Sequence, residues 1–261
     1  MATDTSLARP IATAAPLVPD LSLAVPCYNE GDCIRNTASH LVEVFRQKAI
    51  NLQLVLVDNG STDDTAAVID ALIAEGLPVL KRQVALNQGY GHGVLVGLEA
   101  CHGRFVGFIC ADGQVDASDV LRLYEVVAGA KNPRLAKVRR RFRMDGLQRK
   151  LVSVLYNVAA NILFGGLGSI DINGNPKILP RDYLDRMRLQ SKDWFLDAEV
   201  MLKAKRLGLP VFEMNVMAQM REDGVSHVRP STIWEFIGNL WRWRLGRVPA
   251  QNPDPETVRP H

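Results

Sequence analysis

The 261-residue chain lacks most of the patterns that announce a function on first reading. It has only four cysteines, Cys27, Cys33, Cys101 and Cys110, all in the first half and with no Cys-x-x-Cys pair. That excludes a disulfide scaffold and a zinc knuckle, and leaves small buried thiols in a reducing compartment. Its five histidines, His40, His92, His102, His227 and His261, have no metal-ligand spacing. No run of about 18 apolar residues occurs, so no membrane-spanning helix is expected. The first twenty residues have no basic stretch followed by an apolar block, which argues against a signal peptide. Charge of one sign is also missing: 31 basic residues stand against 28 acidic ones, a net of +3. Aromatics do not interleave with the basic cluster "KVRRRFR", and no nucleic-acid partner is expected. No internal repeat is present.

What remains is an ordinary globular composition, 47% hydrophobic and 23% charged, long enough for one large α/β domain. Apolar runs at Leu21–Pro26, Leu52–Val57 and Phe105–Cys110 read as strands buried on both faces, and Val79–Val84 reads as a further strand. Helical periodicity fills the gaps over Ile34–Gln47, from a cap at Thr62 or Asp63 to about Glu75, and over Val94–Cys101. Strand alternating with helix predicts a mostly parallel, Rossmann-like sheet with helices on both faces. Further on, the sequence predicts a helix over 148–164, a loop and helix start in "DINGNPKILPRDYL", a helix in "DWFLDAEVMLKAKRLG" stopped by Gly208, and a strand in "LPVFEMNVM". Residues 1–18 and 248–261 read as flexible tails around a domain of residues 19–230 and a C-terminal amphipathic helix, 231–247.

Polar groups collect just past the strands. "VPCYNEGD", "VLVDNGSTDDT", "NQGYGHG" and "CADGQVD" each follow an apolar run and so share one edge of the predicted sheet. Ligands bind at such strand ends. Asp112, Gln114 and Asp116 cluster there, oxygens suited to a hard cation or a polar ligand, yet the cluster begins with Cys110, a poor ligand of that type. Gly89 and Gly91 would let backbone approach a ligand closely. A second concentration of charge, "KVRRRFR" with Arg149 and Lys150, reads either as a solvated basic face or as a pocket for an anionic acceptor. Arg149, Ser153, Asn157 and Asn161 recur at steps of four, one polar stripe on an apolar helix. The stripe either lines a groove or packs against a neighbouring helix.

In order and spacing these segments resemble the family 2 glycosyltransferases of the GT-A fold, in their polyprenol-phosphate (dolichol-phosphate mannose synthase-like) branch. The resemblance covers about residues 20–246 and includes "REDGVS" at 221–226. It implies a donor site for a nucleotide sugar at Pro26, Tyr28, Glu30, Asp58, Asn87, Gly89, Asp112 and Arg221. It implies an acceptor site for a lipid phosphate at Arg139, Arg149 and Ser153. It implies a divalent cation, Mg²⁺ or Mn²⁺, at the second residue of an Asp-x-Asp pair, here Asp112, with Gln114 following. Two positions depart from that pattern: Cys110 replaces the first aspartate, and Asn59 replaces the second aspartate of an Asp-Asp-Gly-Ser turn. Cys110 leaves three readings open: a weakened metal site, basic residues sharing the metal's work, or a module that binds without transfer. The implied reaction is an inverting sugar transfer, with Asp112 central and Asp197 of "FLDAEV" as the carboxylate able to activate a hydroxyl acceptor. The alternatives are a glycosyltransferase with a soluble acceptor and a non-catalytic sugar-nucleotide binding module. The expected location is cytoplasmic, peripheral at the inner face of the membrane, with the tryptophan-rich 231–246 segment at the interface. A homodimer is left open.

Overall fold

The computed structural model describes residues 18–140 and 147–217 (backbone alone at 147–153 and 155), together with Gly238 and Trp243. Four parallel strands form one half of the sheet: β1 (Leu21–Cys27), β2 (Leu52–Asn59), β3 (Val79–Val84) and β4 (Phe105–Phe108). The sheet continues through β6 (Lys177–Pro180), β5 (Leu135–Arg140) and β7 (Val211–Val216), in the order β3-β2-β1-β4-β6-β5-β7. Only β6 runs against its neighbours; β5 and β7 are parallel to each other. The connecting helices are α1 (Gly31–Gln47), α2 (Thr65–Ala74), α3 (Tyr90–Glu99), α4 (Ala117–Ala128), α5 (Leu147–Leu163), α6 (Arg181–Met187) and α7 (Leu196–Arg206).

The apolar runs are continuous because both faces of the sheet are covered. Successive side chains of a strand point to opposite faces. Leu21, Leu23 and Val25 of β1, with Leu52, Leu54 and Leu56 of β2, enter one core with residues of α1, α2 and α4. Ala24, Val55 and Val57 enter the other, with residues of α3, α5 and α7. The glycosyltransferase-like α/β architecture expected from the sequence is therefore present. No described helix is long and apolar enough to cross a membrane.

Local chemistry explains the ends of the elements. Asp116, counted above among cation-binding oxygens, caps α4 instead, accepting from Ser118 N at 2.8 Å. At the end of α7, Gly208 takes φ 65°, and the amides of Gly208 and Leu209 close back onto Lys205 O and Ala204 O.

One expectation needs correction. The "KVRRRFR" cluster is not a uniform basic face. Lys137, Arg139 and Arg140 belong to β5, where Lys137 is fully buried and lies in register with Glu213 of β7, 3.0 Å from its carboxylate. The second half of the polar stripe on α5 lines a groove, with Asn157 and Asn161 facing Ser169 and Glu213, and is also structural. Asn157 Oδ1 accepts from Ile172 N at 2.8 Å, while Asn161 accepts from Leu167 N and donates to Ser169 O. Both asparagines pin the segment after the helix. Of the 231–247 helix, only Gly238 and Trp243 lie within the described residues. Trp243 is 7% exposed and packs on Phe195, with Lys203 and Arg206 of α7 over its ring. The Trp243 side chain therefore packs into the protein.

Candidate active site

The first wall of the site is a pair of interlaced loops. β1 and β2 end side by side, with Cys27 opposite Asp58. Asp58 is buried, and its Oδ1 accepts from Ser61 N at 3.0 Å. Across the gap Asn29 Oδ1 accepts from Thr62 N, Glu30 N donates to Thr65 Oγ1 at 2.9 Å, and Gly31 N donates to Asp63 Oδ2. Asn29 holds φ 55°, a strained value that these bonds keep in place. Pro26, Tyr28 and Glu30 are thus set half-buried at the strand ends, beside Asp58.

The second wall is the glycine loop. Asn87 Oδ1 accepts from Gly89 N and shapes the turn. Gly89 takes φ 115°, and a β-carbon there would sit 2.5 Å from Lys192 O; one on Gly91 would sit 2.4 Å from Ser191 O. These glycines therefore admit the chain's own 191–193 backbone at close range. That backbone is held in turn by Glu199, whose carboxylate accepts from Gln190 N and Ser191 N. Asn59 donates its amide to Gly89 O at 3.1 Å. An aspartate has no hydrogen to offer there, which gives a physical reason for the departure at this position.

Past the end of β4 opens a small cleft lined by Thr37, Cys110, Asp112, Gln114, Arg140 and Asn175, among others. Thr37 Oγ1 donates to Ala111 O at 2.9 Å and ties the end of β4 to α1. Asp112 Oδ1 accepts from Gln114 N, which turns the chain so that both side chains line the same opening. Arg140 reaches it from β5. Its Nε lies 3.1 Å from Asp171 Oδ2, and its Nη2 bonds Asp171 Oδ1 and Asn173 O. Burial opposes the charge of Arg140, but Asp171 more than offsets it, and the guanidinium pKa is raised. Burial likewise pushes the Asp171 carboxyl up, yet Arg140 and Lys137 bring it down to about 2. The cleft therefore carries one fixed cation beside one carboxylate, two amides, one hydroxyl and one thiol.

Behind the cleft lies a buried polar network. Asn175 Nδ2 donates to Tyr90 Oη at 2.9 Å and lies 3.5 Å from Asp197 Oδ2. Lys177 Nζ is ion-paired with Asp197 and bonds Asn175 Oδ1 at 3.1 Å. Burial, then the nearby Asp197 charge, pushes the Tyr90 hydroxyl pKa well up, so it stays protonated. Asp197 is 2% exposed and stands behind Asn175 rather than in the cleft.

The structure thus brings Asp112 and Gln114 together, with Pro26, Tyr28, Glu30 and Asp58 along the neighbouring strand ends. Arg139 points the other way from Arg140 in the pleat, in register with Asn215. Arg149 and Ser153 are on α5 one turn apart, but their side chains lie outside the described residues, as does Arg221. The sequence reading missed Arg140 and Asn175. Treating "KVRR" as a strand would have separated Arg139 from Arg140 and left one of them for the site.

Comparison with known proteins adds the following. The family model "Glycosyl transferase family 2" matches residues 22–175. An undecaprenyl-phosphate 4-deoxy-4-formamido-L-arabinose transferase of Pseudomonas fluorescens (strain SBW25) is 31% identical over 149 residues, 53% of this chain and 40% of that protein. A dodecaprenyl-phosphate galacturonate synthase of Rhizobium johnstonii is 27% identical over 229 residues, 85% of this chain and 65% of that one. The chain thus spans less than two thirds of the length of these relatives. Among solved structures, glucosyl-3-phosphoglycerate synthase from Mycobacterium tuberculosis with UDP superposes at a TM-score of 0.69 and 21% identity, covering 89% of this chain and 82% of that one. The same enzyme with Mn²⁺, UDP and glucosyl-3-phosphoglycerate gives 0.67. At such identity these structures speak for the fold.

Proposed function

The chain belongs to glycosyl transferase family 2, and from that premise we propose that it moves a sugar from a UDP- or GDP-sugar to a polyprenyl phosphate or another phosphate-bearing acceptor, with inversion. The observation that carries this reading is the single cleft in which Asp112 and Gln114 face the clamped guanidinium of Arg140. Arginine forks onto phosphate oxygens, and its planar donors suit a diphosphate or an acceptor phosphate. The relatives' own acceptors, undecaprenyl and dodecaprenyl phosphate by name, support the acceptor class.

In the proposed reaction an anionic oxygen of the acceptor phosphate attacks the anomeric carbon. The bond from that carbon to the donor diphosphate breaks, and its electron pair leaves with the diphosphate. A phosphate is already a nucleophile, so no general base is needed. Asp197, paired with Lys177 behind Asn175, then holds the cleft wall in place instead of taking a proton. Pro26, Tyr28, Glu30, Asp58, Asn87 and Arg221 are assigned to the donor. Arg149 and Ser153 are assigned to the acceptor together with Arg140, which takes the place expected of Arg139 because Arg139 points to the other face of β5.

The donor set fits a hard divalent cation only in company with substrate oxygens. Asp112 and Gln114 would hold Mg²⁺ or Mn²⁺, and among the described residues no group of three or more His, Cys, Asp or Glu stands ready to hold one alone. When bound, such a cation draws negative charge off the leaving diphosphate. Cys110 offers no hard oxygen. The Arg140 charge beside it supports a site that leans less on metal. A peripheral, cytoplasmic placement follows from a lipid acceptor.

A second reading, a soluble phosphate acceptor, is favoured by the inward packing of Trp243 on Phe195. A thermal-shift panel of UDP- and GDP-sugars with Mg²⁺ tests the donor assignment. One nucleotide class should raise Tm in the wild type and not in Asp112→Asn. Equal shifts in both proteins would remove Asp112 from the donor site.

A further inference from the structure

Glu30 stands at the N-cap of α1, yet its side chain makes no capping bond to the helix. A carboxylate at that place normally turns onto the free amides of the first turn. Here one oxygen, Oε2, instead accepts from the Cys33 thiol at 2.9 Å. A residue three positions on lies over the same helix face, so the contact is set by helix geometry. The backbone of Glu30 has no freedom to spare. Its amide donates to Thr65 Oγ1 at 2.9 Å, and its carbonyl accepts from Ile34 N at 2.9 Å and Cys33 N at 3.2 Å. With the main chain pinned, the orientation of the carboxylate is left to its side-chain torsions, and Cys33 acts on these.

Cys33 is suited to that task. It is 5% exposed. Burial, then its bond to Glu30 and that carboxylate's charge, pushes its pKa far above the ordinary thiol range, with Asp112 adding to the rise. It therefore remains a neutral donor at working pH. It also sits within the electrostatic reach of both Glu30 and Asp112.

We propose that Cys33 is a positioning residue for donor binding: its thiol fixes the Glu30 carboxylate in the orientation that accepts a hydroxyl of the nucleotide's ribose. This rests on the assignment of Glu30 to the donor site made above. A ribose hydroxyl is the donor such a carboxylate recognises, so the effect should appear as discrimination between ribo- and 2′- or 3′-deoxynucleotides.

The test is calorimetric binding of UDP and GDP, and of their 2′-deoxy and 3′-deoxy counterparts, to wild type, Cys33→Ala, Cys33→Ser and Glu30→Ala. A thiol is a weak donor, and loss of one ordinary hydrogen bond corresponds to roughly a three- to tenfold change in binding. Cys33→Ala should weaken the ribonucleotide by about that factor, leave at least one deoxy form unchanged, and so collapse the preference. Cys33→Ser, which keeps a donor, should restore it. A merely structural thiol would instead weaken all ligands alike in both variants. If Glu30→Ala abolishes the preference while Cys33→Ala retains it, the positioning role is overturned and the donor reading stands. If Glu30→Ala changes nothing, Glu30 is not a donor residue and the proposal falls with that assignment. If neither UDP nor GDP binds the wild type, the functional reading itself has failed.

Discussion

Asp112 and Arg140 carry the chemistry at the scale of single residues, and their substitutions should differ in kind. Asp112→Asn removes a charge from the cleft and should abolish transfer; its Oδ1 can still accept from Gln114 N, so stability should change by no more than about 1 kcal/mol. Arg140→Ala leaves Asp171 buried and unpaired, so it should lower activity and also cost roughly 3–5 kcal/mol of stability. Urea unfolding of both variants checks this; equal stabilities would mean that Arg140 is not clamped. Asn59→Asp is the instructive control. It restores the residue usual in the family, yet it sets a carboxylate against Gly89 O, and a loss of about 1–3 kcal/mol is expected. What the sequence told at this scale was uneven. Asp112, Gln114 and Asp58 were legible because each follows an apolar run directly. Arg140 was not, because its role depends on Asp171, 31 residues away, and the close approach to the Gly-rich loop was not, because nothing in its neighbours reveals the 191–193 backbone packed on it.

Elements whose periodicity is unmixed were readable within a few residues. The helix expected over 148–164 spans Leu147–Leu163, and the strand expected over Val79–Val84 has those bounds. β5 was lost because its lysine and arginines imitate a solvated patch. Lys137 is tolerated inside because Glu213 lies opposite on β7 and the carbonyls of Val138 and Asp171 accept its other hydrogens, pairings invisible to local pattern. α4 was lost because Asp116, its cap, had been counted with the cation-binding oxygens. The β5 ion pairs make a pH prediction. The Asp171 carboxyl is held at about 2, below its ordinary 3.8, so its ionised form contributes stability that is complete above 3.8 and disappears as pH falls through that window towards 2. The size is about 2 kcal/mol from the shift. Acid titration of stability should therefore be flatter in Asp171→Asn, which starts less stable at pH 7. Parallel curves for the two proteins would contradict the pairing.

On the scale of the whole molecule, the sheet gathers its polar loops at one edge while two apolar layers hold it from either side. The last described residue, Trp243, belongs to one of those layers. Truncation after Ser231 should then lower stability by roughly 3–5 kcal/mol, as for loss of a buried tryptophan, and not merely release the protein from lipid. Vesicle co-sedimentation of the intact chain, weakened by salt, remains the expectation for a lipid acceptor. The central claim, transfer of a sugar onto a phosphate-bearing acceptor in the Asp112–Arg140 cleft, is tested most directly by one measurement. Radiolabelled UDP- and GDP-sugars are incubated with undecaprenyl phosphate and Mg²⁺, and label is followed into the organic phase for wild type and Asp112→Asn. The account predicts organic-soluble label from one nucleotide class with the wild type and none with the variant. Label appearing equally with both proteins, or no transfer to this acceptor or to any soluble phosphate ester from any donor, would contradict it.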